Sequence, residues 1–92
     1  MYYSMYDKKG RGDSGGMSYC ISFDENNKAT ILDSPRPKIG CVMRVGSRFA
    51  RTMQHQDWWQ TTPIKEILAE TTNEVVFKTR SGSIYTWKDH SK

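Results

Sequence analysis

The chain has no run of eighteen apolar residues, no CxxC pair and only two histidines. The first absence leaves nothing to cross a bilayer as a helix. The opening "MYYSMYDKKGRGDSGG" also lacks the apolar stretch of a signal peptide, so a cytoplasmic location and no membrane contact are expected. Cys20 and Cys41 sit far apart in sequence, as do His55 and His90, which makes a poor zinc site. Neither a metal nor a cofactor is expected. In a reducing cytosol the two cysteines are read as buried free thiols, with a disulfide between them as the alternative.

Catalytic signatures are missing as well. There is no phosphate-binding glycine loop, no HExxH and no nucleophile elbow. His55 and Asp57, in "HQD", could orient an imidazole as a base, but a solvent-exposed histidine in a polar loop is the expected outcome. Glu66, Glu70 and Glu74 read as solubilising carboxylates. "RGD" at Arg11–Asp13 is too short to carry meaning in a chain with no secretion signal. No enzyme is expected.

What is present is charge and aromatic rings. The 92 residues carry a formal net charge of +4. Residues 36–60 hold five basic groups and one acidic group, so the excess sits in the middle of the chain. A local cationic surface attracts phosphates or acidic protein patches. In the same region Trp58 and Trp59 stand side by side in "HQDWWQTTP". Neighbours on a strand point to opposite faces. Trp59 begins the alternation Trp59, Thr61, Pro63 and is expected to face the core, which leaves Trp58 as the outward ring.

The length suits one domain with a modest core, which self-association would help. Residues 1–16, rich in Gly and Ser, read as a flexible N-terminal arm, although Tyr2, Tyr3 and Tyr6 could dock it as a first short strand. A single small β domain is expected over 17–92. "MSYCISF" alternates Met17, Tyr19, Ile21 and Phe23 with Ser18, Cys20 and Ser22, the pattern of a strand. "DENNK" supplies a turn in which Asn26 and Asn27 tolerate left-handed backbone, and "ATIL" returns, making a hairpin over 17–34. Pro35 and Pro37 force an extended connector. "CVMRV" is another strand. Residues 47–56 read as a short helix or an ordered loop, with Ser47 as a cap. Residues 63–70 favour a strand, with a helix as the alternative. "VVFKT" and "SIYTWK" form a hairpin across "RSG", with Val75, Phe77 and Thr79 facing Tyr85 and Trp87.

The fold class expected is mainly β, a small barrel or strongly curved antiparallel sheet of five or six strands. "IGCVMRVGSRF…DWWQTTPIKEIL…VVFKTRSGSIYTWK", residues 39–88, resembles SH3-like small barrels. It is most similar to short accessory proteins encoded by phages and prophages. That resemblance implies a compact binding module acting on a host factor such as a defence system, in the host cytoplasm, and it carries no catalytic residues across.

The residues expected to bind a partner are Arg44, Arg48, Arg51, His55 and Trp58. Guanidinium groups and flat rings dominate protein interfaces. They also suit phosphates and unpaired bases, so single-stranded RNA or DNA is the alternative to a protein partner. A third reading makes both tryptophans core plugs. The 17–32 hairpin could also pair edge to edge into a homodimer.

Overall fold

Among the described residues, alternating and β-branched stretches drive eight strands, all antiparallel where they pair. They are β1 (Tyr3–Asp7), β2 (Gly12–Phe23), β3 (Ala29–Ile31), β4 (Val42–Gly46), β5 (Trp58–Gln60), β6 (Ile64–Glu70), β7 (Glu74–Thr79) and β8 (Ile84–Asp89). The computed structural model describes residues 3–46 and 58–90, with the backbone alone at positions 13–16 and 58. The short helix or loop expected over 47–56 lies outside the described residues.

The hydrogen-bonded order is β5-β4-β2-β1-β8-β7-β6, with β3 paired to β2 off this path. Two layers result. One is β6-β7-β8-β1 and the other is β2–β5, and the twelve-residue β2 runs from one into the other. Its Gly12–Gly16 half pairs with β1 and its Met17–Ile21 half pairs with β4. The order stays open, with β5 and β6 at its two ends, so the strands do not close into the expected barrel. A corner links those ends instead. After β5 the chain runs on beside β4, donating from Thr61 N to Met43 O (2.9 Å) and from Ile64 N to Cys41 O (2.9 Å). The buried Thr61 hydroxyl accepts from Met43 N at 3.1 Å, which satisfies a donor that a regular ladder would have paired.

The core lies between the layers and contains Tyr3, Met5, Cys20, Cys41, Met43, Val45, Ile64, Val75, Phe77, Tyr85 and Trp87. The β7–β8 hairpin contributes to it as its alternation requires, with Val75 opposite Trp87 and Phe77 opposite Tyr85. Residues 64–70 form the strand that was favoured over a helix. The opening segment is not the flexible arm expected. It supplies β1, which lies between β2 and β8 and buries Tyr3 and Met5. Tyr3 stacks on Trp87 with ring centroids 5.5 Å apart. Burial, followed by the nearby Asp89 carboxylate, pushes the Tyr3 hydroxyl pKa up.

Two turns share one device. Asp7 Oδ1 accepts from the N–H groups of Lys9 (2.9 Å) and Arg11 (2.8 Å). Asp24 Oδ1 accepts from those of Asn26 (2.9 Å) and Lys28 (2.8 Å). Each turn then places a left-handed residue three positions after the aspartate, Gly10 at φ 83° and Asn27 at φ 62°. Gly12 follows for a steric reason, since a Cβ there would stand 1.8 Å from the Met5 carbonyl oxygen.

The strongest tie between layers is made by Trp87. Its buried Nε1 donates to Ser18 Oγ at 2.9 Å, and Ser18 Oγ donates to Pro35 O at 2.9 Å. This explains the facing of β2. Ser18 and Cys20 turn toward the core rather than the bulkier Met17, Tyr19 and Phe23, and Cys20 is a buried free thiol as expected. An indole packed over the strand leaves room for small residues only.

Two expectations follow. Ser18→Ala strands the buried Trp87 N–H and destabilises the fold by about 1–3 kcal/mol, read as a lower urea midpoint at unchanged slope. At Asp7, burial disfavours the carboxylate. The Arg11 and Lys9 N–H groups and the Arg11 guanidinium outweigh it and hold the group below the ordinary carboxylate range. Its contribution is therefore present above that range and lost as pH falls through the lowered value. Thermal melts of Asp7→Asn should lie below the parent at neutral pH, and the gap should narrow as the solution is acidified.

Candidate functional site

Register determines what the outer face of the β2–β5 layer carries. Residues paired across antiparallel strands share a face. Cys20 pairs with Met43 on the core side, so the next pair, Ile21 with Val42, lies on the outer side. Ile31 of β3 pairs with Ile21 from its other flank. The row Ile31–Ile21–Val42 therefore crosses three strands on the face turned away from the core. The next rows are Phe23 with Ala29, then Tyr19, Arg44 and Gln60.

Ile21 and Val42 are 5% and 4% exposed, yet neither belongs to the core cluster. Around this floor stand the half-exposed Phe23 (45%), Met17 (43%) and Ile31 (58%), a large share of the exposed apolar bulk among the described residues. Tyr19 is half-buried and donates its hydroxyl to Met17 Sδ at 3.4 Å. A cleft of about 560 Å³ borders the patch, lined in part by Phe23, Asn27, Val42, Gln60, Pro63 and Arg80. Contiguous exposed apolar surface of this kind marks interaction sites in folded proteins.

Of the five residues expected to bind, Arg44 is on this face. Its Nε and Nη2 both donate to Gln60 Oε1, at 2.9 and 2.7 Å, so Gln60 aims the guanidinium. Trp58 pairs with Gly46 at the end of the face, and its side chain lies outside the described set, as do Arg48, Arg51 and His55 in full. The structure thus brings one expected residue to the patch and adds Ile21, Val42, Phe23, Ile31 and Met17. Trp59 behaves as its alternation requires. It packs against the core and donates Nε1 to Tyr85 O–H at 3.1 Å.

The outer face of the other layer is polar. Ser4 Oγ and His90 Nε2 lie 2.7 Å apart at a cleft of about 510 Å³ that Tyr6, Glu74, Thr86 and Lys88 also line. His90 follows the end of β8, and sequence pattern gave no sign of this contact with β1. Among the described residues no helix is long and apolar enough to cross a membrane.

Replacing Phe23 or Ile31 by Ser should shift unfolding free energy by about 1 kcal/mol or less each while reducing binding of an apolar dye to the folded protein. Val42→Asp, which buries an unpaired charge in the floor, should cost at least about 2 kcal/mol in the same denaturation experiment. Compared with known protein families, curated protein sequences and solved structures, the chain matches none.

Proposed function

We propose that the chain is a non-catalytic protein-binding module that docks a partner on the outer face of β2, β3 and β4. The single observation behind this reading is the sealed pair Ile21 and Val42 outside the core, rimmed by half-exposed Phe23, Ile31 and Met17. Half-exposed aromatic and aliphatic side chains gathered on one strand face beside an arginine have the composition of a protein interface.

Charge specifies the partner further. The apolar floor lies beside Arg44, and residues 36–60 carry most of the positive excess. The complementary surface is apolar at its centre and acidic at its edge. The resemblance of residues 39–88 to phage-encoded accessory proteins supports a host factor as that partner, with inhibition or modulation as the outcome. A single-stranded nucleic acid has less behind it. The floor is aliphatic where bases would need flat rings.

Affinity capture should compare the full chain with the Phe23→Ser/Ile31→Ser double variant, each with and without nuclease. The reading expects a protein retained by the parent, indifferent to nuclease and lost with the variant. It fails if both baits retain the same proteins. It also fails if a fluorescent oligothymidylate binds both equally, with an affinity that falls steeply and linearly on a log–log salt plot.

A further inference from the structure

The core contains two thiols that play no part in the docking face. Cys20 lies in β2 opposite Met43. Cys41 is two positions before Met43, so strand alternation places it on the same inward side as Cys20, one diagonal step away. Both belong to the core cluster, at 1% and 4% exposure, and both are free thiols. Cys41 is also the neighbouring group that, after burial, raises the Cys20 thiol pKa. Cys41 stands just outside the β2–β4 ladder, which ends at Val42, so drawing the sulfurs together breaks none of its rungs.

We propose that Cys20 and Cys41 are a disulfide-forming pair, oxidised by a small-molecule disulfide while the chain folds, and that the bond staples the excursion from Ile21 to Gly40 at its base. In the first step the thiolate of one cysteine attacks a sulfur of the donor disulfide and expels one donor thiolate. In the second, the other cysteine, as thiolate, attacks the mixed disulfide at the protein sulfur and expels the second donor thiolate. The two cysteine protons pass through solvent to the two departing thiolates. The protein loses two electrons and the donor gains two.

The order of events comes from burial. In the folded chain, desolvation and then the neighbouring Cys41 push the Cys20 thiol up to about 12. A thiol so held is a poor nucleophile, and it is sealed from solvent. Before the layers meet, both thiols are exposed and ordinary. The bond therefore forms early or not at all, and once formed it is protected from reductants.

The staple acts on a particular stretch. The excursion holds β3, whose Ile31 rims the docking face, and the connector whose Pro35 carbonyl and Arg36 guanidinium engage Ser18 and Trp87. This inference does not depend on the docking reading, since it concerns the opposite face of β2.

The test uses the full chain without substitutions. Reduced, denatured protein is refolded in a buffer of glutathione and glutathione disulfide, quenched in acid, denatured and treated with N-ethylmaleimide. The expected product is a monomer lighter by two hydrogens, without maleimide adducts, that yields a linked Cys20–Cys41 peptide on digestion. Its urea midpoint should exceed that of the reduced protein. Protein folded first in reductant and then moved to the same buffer should form the bond at least about tenfold more slowly. The proposal is overturned if refolding ends in two maleimide adducts, in glutathione adducts or in disulfide-linked dimers. It is equally overturned if the linked form unfolds at lower urea than the reduced one.

Discussion

One indole holds the two layers in register. Trp87 is 1% exposed, stacks on Tyr3, and passes its N–H to Ser18, which in turn reaches the Pro35 carbonyl. The Arg36 guanidinium lies 6.0 Å from the centre of the same ring. From there Arg36 donates to Glu70 Oε2 at 2.7 Å, to Thr72 O at 2.9 Å and to Thr71 O. A last strand, a shared long strand, a proline-rich connector and the β6–β7 turn thus depend on one side chain. Hydrogen-bonded polar groups in a dry interior also fix geometry, because each alternative arrangement leaves a donor stranded. Apolar contacts alone would let the connector slide.

That contact also explains which parts of the molecule were legible in the chain. The β7–β8 hairpin was, because its bulky inward residues alternate cleanly with polar ones and its turn contains Gly82, at φ 91°. So was the β2–β3 turn, where Asn27 takes the left-handed backbone expected of an Asn-Asn pair. Trp59 was placed inward by alternation alone. The facing of β2 was not legible. Local pattern identifies an amphipathic strand but not which of its faces meets the rest of the protein, and here a distant tryptophan claims the small-residue side. The same limit left β1 legible only as the alternative to a flexible arm, raised by its tyrosines. Tyr3 and Met5 look stray among glycines and charges until β8, more than eighty residues later, gives them a partner.

The candidate site was legible in part. Arg44 was found from charge, and the apolar residues beside it were read only as members of strands. Once Ser18 and Cys20 are known to turn inward, Ile21, Phe23 and Ile31 have nowhere to go but out. Val42 is the most informative of the set. It lies on the outer face in the row next to an arginine and a glutamine, and half-exposed apolar residues share that face. Stability is met on one side of the layer by Met43 and Val45, and the other side is left with apolar surface that the fold does not use.

The position of β1 has a consequence for how the molecule comes into being. It sits between β2 and β8, so its second neighbour is the final strand of the domain. A ribosome delivers these strands in order. Until Ile84–Asp89 has left the exit tunnel, the early hairpin has one unpaired flank and no indole to close over Tyr3. Until then the β1–β8 pairing is out of reach, and during elongation the first strand offers a bare edge to any other extended segment nearby.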